Sequence, residues 1–187
     1  MRSCRKRAIS AMIFIAAIAS IACAGTFSPS LQVDTYTDAS HTNESFGDKD
    51  TLWIASEKGS PVRIAYLTFT GMNVPPELID SGSLKIYVKE VERPGKVSLY
   101  LFDKAVLDTA TWADQPDPGT GAVGALDIQS SGWQTCDATV LVRNAAVECS
   151  QACPFSIALV GEGDVSIAIA SVESTPAAKA ALQYETP

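Results

Sequence analysis

Ser83-Leu84-Lys85-Ile86-Tyr87-Val88-Lys89-Glu90-Val91, then Glu92-Arg93-Pro94-Gly95, then Lys96-Val97-Ser98-Leu99-Tyr100-Leu101-Phe102-Asp103, is the stretch that decides the fold. In the first run Leu84, Ile86, Val88 and Val91 are apolar, while Lys85, Lys89 and Glu90 are polar. In the second, Val97, Leu99 and Leu101 point one way and Ser98, Tyr100 and Phe102 the other. A period of two is the mark of a strand with one face on a core. Pro94 and Gly95 stand where a short connection wants them. The spacing predicts a β-hairpin with one buried face.

The same pattern extends outward. Leu31 to Tyr36, Thr51 to Ser56 and Val62 to Thr70 read as strands, the last ended by Gly71 and Pro75-Pro76. Between the first two lies a polar loop, Thr37 to Asp50. Thr109 to Gly124, with Pro116, Pro118, Gly119 and Gly121, reads as a long ordered loop. Asp127 to Cys136 contains a short strand around Trp133, and Asp137 to Asn144 is either a strand or a helical turn capped by Asp137. Pro154 to Val160, Val165 to Ser171 and Ala178 to Tyr184 close the chain, with Gly161-Glu162-Gly163-Asp164 a turn between the first two. The chain is therefore expected to be all-β: a single antiparallel sandwich or barrel without helical periodicity beyond the leader.

Arg2, Arg5, Lys6 and Arg7 precede an apolar run from Ala8 to Ala24 that ends Ala22-Cys23-Ala24. This is the layout of a secretory signal peptide, removed after residue 24. It predicts a secreted or cell-surface protein with no membrane span after cleavage, and residues 25–187 as one domain. A retained anchor and lipidation of Cys23 are the alternatives. The leader takes four of the fourteen basic residues and none of the acidic ones, so the remainder carries ten basic against twenty-one acidic residues, net −11. Nucleic acid and anionic membrane are excluded as partners, because both need a basic footprint. An anionic glycan would need a bridging cation or a local basic cluster. Cys136, Cys149 and Cys153 remain beyond the leader and permit one disulfide of open pairing. Their spacing, with His41 far off, fits no zinc site.

Eight further pieces, in order, carry a resemblance. They are Asp34-Thr35-Tyr36; Asn43-Glu44-Ser45-Phe46-Gly47; Leu52-Trp53-Ile54; Arg63-Ile64-Ala65-Tyr66-Leu67-Thr68-Phe69; Ser83-Leu84-Lys85-Ile86-Tyr87-Val88; Thr111-Trp112-Ala113-Asp114-Gln115-Pro116; Trp133 with Asp137-Ala138-Thr139 and Leu141-Val142; and Ser171-Val172-Glu173. Together they resemble the DNRLRE domain, also classed as carbohydrate-binding module family 96 and close to the disaggregatase-related domains of methanogenic archaea. The likeness runs from about Leu31 to Tyr184. Val172 stands where the family has Arg, and the Asn43 loop is two residues longer. The resemblance implies a jelly-roll sandwich with a non-catalytic role on extracellular polysaccharide, uronic-acid polymers included.

No nucleophile elbow, histidine cluster or phosphate loop is present, so catalysis is not expected. Candidate sugar contacts are the rings of Tyr36, Trp53, Trp112 and Trp133, which suit the apolar faces of pyranose rings, together with Arg63. For each ring the plainer alternative is a core or loop-pinning role. Arg63 and Glu173 are equally an ion pair that fixes strand register. Asp34, Asp48 and Asp50, with Asp38 and Glu44 nearby, make the first loop a candidate calcium site, with a solvated acidic loop as the alternative. Asn43-Glu44-Ser45 is a glycosylation sequon. The function expected is a carbohydrate-binding module for a cell-envelope polysaccharide. The alternative is a structural surface protein that assembles through its sandwich.

Overall fold

The structure, a computed structural model, describes residues 25–119, 121–148, 153–174 and 178–187. The expected signal peptide lies outside them. Among the described residues eleven strands form one antiparallel sheet that folds over on itself. They are β1 (Gly25–Phe27), β2 (Leu31–Asp38), β3 (Thr51–Glu57), β4 (Ser60–Phe69), β5 (Ser81–Arg93), β6 (Gly95–Phe102), β7 (Gly124–Ile128), β8 (Gly132–Asp137), β9 (Phe155–Gly161), β10 (Val165–Ala170) and β11 (Ala181–Thr186). One layer runs β8–β5–β10–β3, with β11 and then β1 continuing beside the first half of β5. The other runs β2–β4–β9–β6–β7. The β3–β4 hairpin joins them through Lys58 (φ 52°) and Gly59 (φ 82°), a turn with both central residues left-handed.

The core lies between the layers. Leu52 and Ile54 of β3, Leu84, Ile86 and Val88 of β5, and Ile167 and Ile169 of β10 meet Leu67 and Phe69 of β4, Val97 and Leu99 of β6, and Ile157 and Leu159 of β9, all fully buried. A second apolar cluster lies on the outer side of the other layer. There the 103–119 segment places Val106 against Ile64, Tyr66, Ala158 and Val160, with Trp112 packed on it. Thr68, Ser156 and the Val106 backbone tie that segment down by buried hydrogen bonds of 2.8–2.9 Å.

The expected hairpin is corrected. β5 and β6 do not pair with each other: β5 bonds to β10, β11 and β8, and β6 to β9 and β7. Arg93-Pro94-Gly95 is instead an arch between the layers. Both strands have one apolar face, and those faces satisfy each other better across the core than side by side. Gly95 (φ 158°) makes the crossing, where a Cβ would sit 2.6 Å from Val165 Cγ2. The Gly161–Asp164 turn is a second crossing of this kind, since β9 and β10 also lie in opposite layers.

One further expectation changes, and one open alternative narrows. Residues Thr139–Glu148 form a helix, α1, rather than a strand or single turn. Asp137 Oδ1 accepts from Thr139 N at 2.8 Å and Thr139 Oγ1 at 2.6 Å, an Asx turn that opens the helix. Its buried stripe is Leu141, Val142, Ala145 and Ala146, and the small alanines left that helical period faint in the sequence. Of the three cysteines whose pairing the sequence leaves open, Cys136 is the free thiol. Cys153 is disulfide-bonded, so its partner lies outside the described residues. No helix among the described residues is long and apolar enough to cross a membrane.

Candidate functional site

Strand parity decides which side chains face solvent on the β8–β5–β10–β3 layer. With Leu52 and Ile54 in the core, Trp53 must face outward, as do Lys85 and Tyr87 of β5 and Trp133 of β8, and two register shifts against β10 bring Glu90 opposite Ala168 and Arg93 opposite Ser166 on the same face. Between these bulky residues β10 offers only Ser166, Ala168 and Ala170. Register puts Ala168 opposite Trp53, Ser166 opposite Ala55 and Ala170 opposite Thr51. Small residues in the middle strand make a low floor between two taller walls.

The β3 side of that floor is a polar groove of about 460 Å³, lined by Asp38, Ser40, Glu57, Arg63, Glu92, Arg93 and Ser166. The Arg63 guanidinium carbon stands 5.5 Å from the Trp53 ring centroid. Arg63 Nε donates to Asp38 Oδ2 at 2.8 Å, and Asp38 Oδ1 accepts from Ser40 N at 2.8 Å and Ser40 Oγ at 2.5 Å. Burial works to raise the Asp38 pKa, but the Ser40 bonds and Arg63 outweigh it and hold the carboxyl below its usual value. Asp38 therefore stays ionised and fixes the arginine fork beside the indole. Glu92 Oε2 accepts from Ser166 Oγ at 2.6 Å across the groove.

On the β8 side, Tyr87 lies directly opposite Trp133 in the strand register, their rings edge to face at 5.3 Å. Lys85 Nζ sits 4.4 Å from the Trp133 centroid. Between the two ends Lys89 reaches from β5 across β10 to Asp50 Oδ2 at 3.2 Å and Thr51 Oγ1 at 2.5 Å.

The residues singled out from sequence divide accordingly. Trp53, Arg63 and Trp133 share one face, with Trp53 and Arg63 in contact. Tyr36 is buried and stacks on Phe46 at 4.4 Å. Trp112 packs on the second apolar cluster, over the opposite layer. Beside it, Gln115 Oε1 accepts from Tyr66 OH at 3.1 Å and from Thr37 Oγ1, so the Thr111–Pro116 motif serves as a clamp. Arg63 does not pair with Glu173. Glu173 Oε2 lies 2.5 Å from Ser171 Oγ, which is also 2.9 Å from Asp34 Oδ1.

The candidate calcium ligands do not converge. Asp34 is 2 % exposed and its second oxygen accepts from Val172 N at 2.7 Å. Asp48 pairs with Lys49 at 3.0 Å and Asp50 with Lys89. Among the described residues no three His, Cys, Asp or Glu side chains are placed to hold a metal ion. Asn43 is exposed on a turn. Sequence reasoning passed over Tyr87, Lys85, Lys89 and Arg93. The alternation of β5 carried the signal for the first two, since Leu84, Ile86 and Val88 in the core force Lys85 and Tyr87 outward.

An exposed sheet face with fixed indole rings, an arginine fork and acidic acceptors suits a hydroxyl-rich, ring-shaped ligand. A comparison with curated proteins finds no match. The family model for carbohydrate-binding module family 96 matches residues 26–185. That span contains every strand of both layers except the first residue of β1 and the last of β11, and the chain belongs to carbohydrate-binding module family 96.

Proposed function

We propose that this protein is a non-catalytic module, secreted or held at the cell surface, that binds an extracellular polysaccharide through the outer face of the β8–β5–β10–β3 layer. The observation that carries the reading is Arg63, locked by Asp38 and stacked on Trp53 at the wall of the polar groove. The arginine donates in a fixed fork, while Glu57 and Glu92 accept from vicinal hydroxyls and the indole takes the apolar face of a sugar ring. The basic-then-apolar opening of the chain supports export. Uronic-acid polymers fit this reading without calcium, because arginine and lysine side chains on the face supply the positive charge.

Affinity electrophoresis against acidic and neutral polysaccharides, with and without a chelator, tests the proposal. Binding should survive the chelator. Arg63→Ala and Trp53→Ala should each weaken it by about tenfold or more, as removal of a central anchor does. Absence of binding to every polysaccharide would overturn the reading.

A further inference from the structure

Trp133 is 43 % exposed, an unusual cost for the largest apolar side chain. The ring is nonetheless held firmly. It follows Gly132 (φ 104°) on β8, meets the Tyr87 edge at 5.3 Å and carries the Lys85 ammonium at 4.4 Å. Among the described residues Lys85 has no carboxylate partner, and its ammonium lies against the indole. Close by, Tyr87 and Lys89 border a second depression of about 180 Å³, whose floor is Ala170.

We infer that Trp133, Tyr87 and Lys85 form a second subsite, which takes an acidic unit, bearing a carboxylate or a sulfate, of the same glycan chain that occupies the Trp53–Arg63 groove. The inference rests on the proposed glycan-binding function. The two ends differ in charge as well as place. The groove offers Arg63 and Arg93 against Asp38, Glu57 and Glu92, so it suits hydroxyls better than a net negative group. The Trp133 end offers Lys85 unpaired, and Lys89 with only a solvent-facing Asp50. An ammonium next to an indole face presents both features of an acidic sugar: charge for its anion and a π-surface for its C–H face. A preset ring loses little freedom on binding.

Trp133 and Trp53 are separated by three strand spacings, from β8 through β5 and β10 to β3, and by two residues along the strands, about 16 Å in all. A single sugar ring does not span that gap, but a chain does. The Lys89–Asp50 contact crosses the path, and a solvent-screened ion pair of this sort is weak enough for a ligand anion to displace Asp50.

Calorimetry on the full chain tests the subsite, using di- and hexasaccharides of three kinds: neutral (cello- and manno-), uronic (oligogalacturonate) and sulfated (carrageenan). The charged hexasaccharides should bind more tightly than the neutral ones and than their own disaccharides. Lys85→Gln should remove about tenfold of that gain and leave neutral affinity unchanged, while Trp133→Ala should remove the gain and also weaken the neutral hexasaccharides, whose rings stack on the same indole. Whether carboxylate or sulfate gives the larger gain identifies the anion. Neutral binding with no gain from charge, or a gain untouched by both variants, overturns the subsite alone. No binding by the wild type to any probe overturns the glycan reading with it. Unchanged melting temperatures of both variants, expected for exposed side chains, separate these losses from misfolding.

Discussion

Ser171 has one hydroxyl proton and two carboxyl neighbours, Asp34 at 2.9 Å and Glu173 at 2.5 Å. Both cannot accept it at once, so the cluster favours an added proton. Burial pushes the Asp34 pKa up from 3.8 to about 6, against the bonds from Ser171 and Val172, with the Glu173 charge adding to the rise. The folded state thus binds this proton more tightly than the unfolded chain. The stabilisation is complete below the unfolded value of 3.8 and is lost as pH rises through about 6. Asp34→Asn supplies the missing donor permanently: the amide donates to Ser171, Ser171 donates to Glu173, and the amide oxygen accepts from Val172. The variant should be more stable than wild type at neutral pH by on the order of 1–3 kcal/mol. It should also lose the decline between the two pKa values in denaturant titrations. A variant less stable than wild type at neutral pH would contradict this account. From sequence Asp34 looked like a metal ligand. A carboxylate's type and spacing do not reveal whether its lone pairs are already taken by a serine 137 positions away.

Individual strands were legible because alternation is local: the inward side chains of β5 and β6 are those the period assigns. Their partners were not, because pairing depends on contacts far along the chain. Arg93-Pro94-Gly95 has the composition of a hairpin turn and the geometry of an arch. The arch is testable at Gly95. A Cβ there would meet Val165 Cγ2 at 2.6 Å on a backbone that side chains rarely adopt. Gly95→Ala should lower stability by about 1–3 kcal/mol in urea unfolding. Gly121→Ala, with open space around it and an ordinary φ, should be close to neutral. Equal effects from the two would count against the arch. At α1, Asp137 was recognised as a cap from its type, but the helix length came from the buried stripe it lays against the core.

At the scale of the molecule, Cys136 reports on the whole fold. It sits half-buried on β8 opposite Leu84, and burial pushes its thiol up to about 11. At neutral pH it is almost entirely protonated, and the thiolate is the reactive form. A thiol reagent should label it at a rate set by unfolding, and fast labelling of the native protein would show that β8 opens on its own. The sequence by itself determined the all-β class, the strand faces and the family to which those motifs belong. These rest on local periodicity and residue type. Only the tertiary structure decided that Trp53, Arg63 and Trp133 share one face while Tyr36 lies in the core and Trp112 lies over the opposite layer. It also decided that the Lys85 ammonium rests on an indole 48 positions away. The physical reason is the same throughout. A strand's period fixes which way a side chain points, but the pairing of distant strands fixes what it meets.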